Sequence, residues 1–178
     1  MPGSLTGYVA ERLVEVHALL SAGGDLSSFK PGADVDHKDI IVDRRGGFAN
    51  AYVQVKSATH VDREGRVVCF ADYPEDAVPE HPRLVYVMCL MDVEAQELTR
   101  IWLVPSADFN RLAYRQHKHD EPGRVVLQFS ALAAGGGVWD RFEVSRHQLG
   151  PRLVSLVDQT EPAAEPLPSA LVLRRSGS

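Results

Sequence analysis

Long apolar runs are missing from this chain of 178 residues. No stretch approaches the ~20 consecutive apolar side chains that a membrane-crossing helix needs. The segment from Met1 to Leu20 also lacks the basic start and apolar block of a secretory signal. A cytoplasmic protein with no membrane partner is therefore expected. Cysteine is scarce: Cys69 and Cys89 are the only two, and both lie in apolar runs. That excludes a disulfide-built scaffold and predicts buried free thiols in a reducing compartment. Positive charge is short as well. Nineteen Lys and Arg against 24 Asp and Glu leave a formal net charge of −5. A broad, non-specific grip on nucleic acid needs clustered cations to displace counterions, so the balance argues against one while leaving room for a local basic patch. There is no Gly-x-Ser-x-Gly elbow, phosphate-binding loop, dinucleotide fingerprint or internal repeat.

What is present suits a globular protein: 44% apolar and 24% charged residues, in a chain long enough for one real core. The expected organisation is a single domain over residues 1–158, with a core of about 5–112, an extension over 113–158 and a Pro/Ala-rich tail over 159–178. Leu5, Tyr8, Val9, Leu13, Val16, Leu19 and Leu20 recur at helical spacing and Gly23-Gly24 ends the helix. Asp25 to Lys38, with Pro31-Gly32, reads as a loop. Asp39 opens a short strand, Ile40-Ile41-Val42; Gly46-Gly47 marks a hairpin turn and Ala51 to Ser57 the returning strand. Arg66–Phe70, Leu84–Leu90 and Ile101–Val104 read as further strands, and Pro74 to Pro82 as a surface loop between the first two. Ser106 is a candidate N-cap for a short helix. Beyond it, Arg115 to Pro122 reads as loop, Val125 to Phe129 as strand, and Arg152 to Val157 as a short apolar segment of undecided type. Trp102 reads as core, and Trp139 is not placed. The element order predicts an α+β (or α/β) domain with a central mixed β-sheet flanked by helices.

Chemistry concentrates on the hairpin. Strand side chains alternate between faces, so in Tyr52-Val53-Gln54-Val55-Lys56 the valines share one face and Gln54 and Lys56 the other. The valine face is expected on the core, and the polar face to be half-exposed or to meet Asp39 across the hairpin. A carboxylate, a carboxamide oxygen and an ammonium converging at one sheet end suit phosphodiester hydrolysis. Mg²⁺ takes hard oxygen ligands, and a cationic side chain stabilises charge developing on the phosphate. Glu11 on the first helix could supply a second carboxylate if it points to this sheet end. Asp34, Asp36 and Asp43 rival Asp39, which directly precedes the strand. The pair His117 and His119 lacks a third ligand close by and reads as solvated loop rather than zinc site.

Gly7-x-x-x-Glu11, Asp39 before an apolar strand, and Gln54-Val55-Lys56 on the next strand resemble the ordered motifs of the PD-(D/E)xK, restriction-endonuclease-like superfamily. That superfamily includes restriction endonucleases, Holliday junction resolvases and nuclease subunits of transposases. The likeness is to small bacterial members whose third motif reads Val-Gln-Val-Lys-Ser, here Val53 to Ser57, and it spans roughly Gly7 to Arg111. It implies a Mg²⁺- (or Mn²⁺-) dependent endonuclease acting on nucleic acid, expected to be DNA, in a defence or mobile-element setting. In it Asp39, Gln54, Lys56 and Glu11 are catalytic. Asp39, Gln54, Glu11 and the Val55 backbone carbonyl hold the metal, and His37 and Ser57 are candidate substrate contacts. A homodimer or partner protein would supply target recognition. Two departures stand out: Lys38 replaces the motif proline, and Gln54 replaces the usual acid. The second, with the negative net charge, supports the alternative of a catalytically inactive member acting as a nucleic-acid-binding or assembly module.

Overall fold

The computed structural model describes residues 5–30, 38–47 and 49–160. It begins with α1, Leu5–Ser21, which ends where Gly23 and Gly24 take positive φ values of 61° and 98°. The periodicity is right but the buried stripe differs from expectation. Ala10, Val14 and Ala18 are buried, whereas Leu5, Tyr8, Val16 and Leu20 are exposed and Val9, Leu13 and Leu19 only partly covered. Small side chains let the helix lie close to the sheet and to α3, Arg146–Thr160, so the bulky residues point away.

A five-stranded sheet supports this helix pair. Its strands are β1 (Leu26–Phe29), β2 (Ile40–Arg44), β3 (Asn50–Ala58), β5 (Leu84–Asp92) and β6 (Glu97–Pro105), in the order β1-β2-β3-β5-β6. All neighbours are antiparallel except β3 and β5, so the sheet is mixed. The crossover between those two passes through β4, Arg66–Pro74, which leaves the first sheet and joins β7 (Tyr114–His117) and β8 (Arg124–Leu132) in a second sheet of order β4-β8-β7. α2, Ser106–Leu112, covers the same side. The architecture is thus α+β, a central mixed sheet with α1 and α3 on one face and the second sheet with α2 on the other. No helix of the described residues is long and apolar enough to cross a membrane.

Two apolar layers follow. The helix-side layer joins Ala10, Val14 and Ala18 to Val53, Val55, Val87, Leu149, Leu153 and Val157. The other joins Tyr73, Tyr86, Met88, Trp102, Phe109, Phe129 and Trp139. β5 feeds both, which explains why its sequence is almost wholly apolar. Trp102 is core, as read from sequence, and Trp139 finds its place against Phe129, ring centroids 4.7 Å apart.

Three sequence expectations change and one segment left undecided is resolved. Leu26–Phe29 is a strand inside the stretch expected as loop, held because its register against β2 buries Leu26 beside the core. Tyr114–His117 is an edge strand on β8, again not loop; all four of its residues are exposed, so no apolar alternation marked it. Arg152 to Val157 belongs to the helix α3, whose Leu149, Leu153 and Val157 recur at helical spacing only once the helix is extended upstream. Ser106 does not cap α2; its hydroxyl donates to the His81 carbonyl and accepts from the His81 amide, at 2.9 and 3.0 Å. The segment 113–158 therefore contributes to both apolar layers. Asp34, Asp36, His37 and most of the tail lie outside the described residues.

The tightest point of the helix pair is Gly150. A Cβ there would collide with the Ala18 carbonyl and the Ala22 amide nitrogen, both backbone, and its own amide donates to Ser21 Oγ at 2.8 Å. Gly150→Val is expected to destabilise the protein by roughly 1–3 kcal/mol or more, the range for overpacked cores. Urea unfolding of the two proteins measures it; an unchanged midpoint would mean the helices do not cross this closely.

Candidate nuclease-type site

β2 pairs with β3 from Asp43↔Asn50 to Ile40↔Val53, and the pairing of described residues stops there. β3 runs on to Ala58, bonded on its other edge to β5. The edge of β3 beyond Val53 meets Asp39 instead of a strand. The Val55 amide donates to Asp39 Oδ2 at 2.6 Å, and the Asp39 amide donates to the Val53 carbonyl at 3.0 Å. Asp39 is thereby fixed to β3 by backbone and side chain together, and a charge-assisted bond of this kind is among the stronger ones. A strand residue projects its N–H and C=O to the same edge, so the Val55 carbonyl faces the gap that Asp39 occupies.

Ile40 and Val53 both belong to the helix-side layer. Alternation then turns Asp39, Gln54 and Lys56 together to the opposite face. Of the two environments open from sequence, the half-exposed one does not hold for Gln54. The second sheet covers this face, and Gln54 is only 2% exposed. Its Oε1 accepts the hydroxyl proton of Tyr73 on β4, and the Tyr73 oxygen lies 2.8 Å from the Tyr86 hydroxyl on β5. Leaving a buried carboxamide oxygen without a partner would cost about 1–3 kcal/mol, so Tyr73 is part of what makes Gln54 tolerable there. Burial, then the neighbouring Tyr86, drive the Tyr73 phenol far above its ordinary range, with the Asp39 charge adding to the effect. Burial pushes Tyr86 up to about 12. Both remain protonated donors at any physiological pH.

Tyr73 is the site residue that sequence reading missed. A signal was there: Val67, Cys69, Ala71 and Tyr73 alternate inward along β4, and an inward tyrosine needs a partner for its hydroxyl.

Lys56 is half-buried beyond Gln54, and among the described residues its ammonium has no ion pair. Its backbone carbonyl is gripped from two strands, by the thiols of Cys69 and Cys89 at 3.6 and 3.7 Å. Both cysteines are free and buried, as expected from their apolar settings. Burial raises the Cys69 thiol to about 12, partly offset by a backbone bond from Cys89 and by the Lys56 charge. Lys38 lies over the Tyr52 ring at 4.4 Å, which adds a second cation near the strand end.

Glu11 stands apart from this group. α1 covers the valine face, and the Glu11 carboxylate accepts from Lys30 Nζ at 2.7 Å. Lys30 follows β1 by one residue past the pair Phe29↔Ile41, so the ion pair lies at the same sheet end as Asp39 but on the helix side. No hydrogen bond joins Glu11 to Asp39, Gln54 or Lys56. Asp43 pairs with Asn50 at the far end of β2. Ser57 is level with Cys89 on the valine face, opposite to Lys56; the alternation that joins Gln54 to Lys56 separates Ser57 from both. His117 faces Glu75 at 3.6 Å on the exposed edge of the second sheet.

The donors at this strand end are all oxygen: the Asp39 carboxylate, the Gln54 carboxamide and the Val55 carbonyl. Among the described residues there is no group of three or more His, Cys, Asp or Glu side chains able to hold a metal. The set suits a hard divalent cation that keeps several of its waters, and not a zinc ion.

No protein-family model matches the chain, and neither does any curated protein. Solved structures do. This chain is similar in fold to a bacterial homing endonuclease, I-Ssp6803I. The TM-score is 0.59 at 14% sequence identity, over 89% of this chain and 98% of the endonuclease. The match therefore extends well past the hairpin and includes much of the C-terminal third, where the sequence carried no resemblance.

The buried acids make stability pH-dependent. Cys69 rises from 9.0 to about 12 and Tyr86 from 10.0 to about 12, so the folded state holds protons that the unfolded chain releases. Stability from these groups is complete below about pH 9 and is lost as pH climbs toward 12. The urea midpoint is expected to fall between about pH 8 and about pH 10.5. A midpoint that holds constant would show that these groups are solvated.

Proposed function

We propose that the chain is a metal-dependent nuclease of the PD-(D/E)xK kind that hydrolyses phosphodiester bonds of DNA. One observation carries the reading: Asp39 is bonded to the backbone between Gln54 and Lys56, on a fold shared with a homing endonuclease. That neighbour's description also supports a mobile-element setting over other settings.

Asp39, the Gln54 oxygen and the Val55 carbonyl would hold Mg²⁺ or Mn²⁺. When bound, the ion supplies polarisation of a phosphate oxygen and acidification of water. The chain's own residues do the rest. The Val55 amide keeps the Asp39 carboxylate at the strand end. Lys56 brings an ammonium to the phosphate, where negative charge grows as water adds to phosphorus and the ester P–O bond breaks. The products are a phosphate monoester end and a hydroxyl end. Lys56, which has no ion pair among the described residues, gives the phosphate a local cation within an acidic protein, which a net charge of −5 does not prevent.

The non-catalytic reading has one specific observation in its favour. Glu11 is neutralised by Lys30, which leaves Asp39 as the single carboxylate of the cluster among the described residues, and a carboxamide is a weaker ligand for Mg²⁺ than an acid.

Incubation of the protein with plasmid and Mg²⁺ or Mn²⁺ separates the two. Cleavage is expected from the wild type, with a loss of at least about 100-fold in Lys56→Ala and in Asp39→Asn, comparable to removing one charge-stabilising group. Cleavage that survives both substitutions would remove these residues from the site. Metal binding without cleavage of any nucleic acid would leave the binding module.

A further inference from the structure

Behind the proposed site, two buried hydroxyls are spent on one carboxamide.

We infer that Tyr73 and Tyr86 are positioning residues for Gln54, which fix its carboxamide oxygen so that a neutral side chain can serve as a metal ligand where an acid is usual. The inference rests on the nuclease-type metal site proposed above. A tyrosine hydroxyl has one proton. Tyr73 gives its proton to Gln54 Oε1. The 2.8 Å contact between the phenols must then run from the Tyr86 hydroxyl to the Tyr73 oxygen. The chain of bonds has one direction, Tyr86 to Tyr73 to Gln54, and it tells the two ends of the carboxamide apart. A turned amide would aim its NH₂ at Tyr73 and lose the bond that its oxygen accepts from the phenol.

The arrangement also explains why glutamine stands at this position. The side chain is 2% exposed, on the same face as Asp39 and one residue from the amide that Asp39 accepts. A second carboxylate there would be desolvated beside a like charge. The carboxamide avoids that cost but gains two end-for-end orientations, of which one offers oxygen to a cation. Tyr73 selects that orientation from β4, a strand of the other sheet, and Tyr86 holds Tyr73 from β5. Second-sheet residues thus act on the proposed metal site without touching the metal.

The test uses full-length protein, Mn²⁺ alone as the probe, and two readouts: Mn²⁺ affinity by water-proton relaxation, and the Gln54 side-chain amide signal in ¹⁵N spectra, identified by its loss in Gln54→Ala. Tyr73→Phe is expected to move that signal and to weaken Mn²⁺ binding roughly tenfold, the lower end for loss of a group that orients a ligand. Tyr86→Phe is expected to act in the same direction and less. In a Gln54→Ala background neither should have any further effect, a non-additivity that simple destabilisation would not produce. Should Tyr73→Phe fail to fold, Tyr86→Phe carries the test, because it leaves the Tyr73–Gln54 bond in place. If Gln54→Ala weakens binding while both tyrosine variants bind like wild type, the positioning role is overturned and the metal site stands. If Asp39→Asn and Gln54→Ala also bind like wild type, or the wild type binds no Mn²⁺, the metal site itself falls.

Discussion

The bond from the Val55 amide to the Asp39 carboxylate joins the two halves of the site. Without it, Asp39 would be a residue preceding a strand, and Gln54 and Lys56 would be two polar side chains on the next one. The bond exists because β2 starts at Ile40, two residues short of the position that would face Val55 in this register. A strand edge that ends its ladder inside a protein must find another acceptor for its N–H, and here the acceptor is an anion. The same edge turns the Val55 carbonyl toward that anion. A broken ladder therefore yields, at no extra structural cost, both a fixed carboxylate and a backbone oxygen beside it.

The second constraint is that β3 is covered on both faces. Its valines pack on α1 and α3, and its polar residues lie under a second sheet. Coverage turns Gln54 from a solvated surface residue into a buried one whose hydrogen bonds must be complete. Tyr73 and Tyr86 complete them. Lys56, two residues further along the strand, is only half-buried. The thiols of Cys69, on β4 across the sheet face, and Cys89, on the neighbouring β5, hold its backbone.

Legibility in the sequence follows the same division. The hairpin was legible because Gly46-Gly47 and the alternation of Tyr52 to Lys56 are local signals, and the face shared by Gln54 and Lys56 followed from alternation alone. The second sheet was not, because its strands pair across long separations: Arg66 meets Leu132, and Tyr73 meets Val125. No local pattern says that β4 leaves the first sheet, so nothing in the sequence marked the polar face as buried. Glu11 shows the reverse limit. Its spacing from Gly7 fits the motif, but Lys30 sits in a stretch that looked like loop, and the ion pair between them depended on finding β1 there. The large apolar residues of α1 misled for a third reason: helical period fixes which residues share a face, and packing distance decides which face is buried.

A divalent cation bound at this site would sit beside Asp39 and the Val55 carbonyl. Mn²⁺ titrated into ¹⁵N-labelled protein broadens amide signals near the ion. The signals of Asp39, Val55 and Lys56 are expected to broaden first and together, and to be spared in Asp39→Asn. Broadening that begins elsewhere, or that persists around Val55 in Asp39→Asn, would contradict the site.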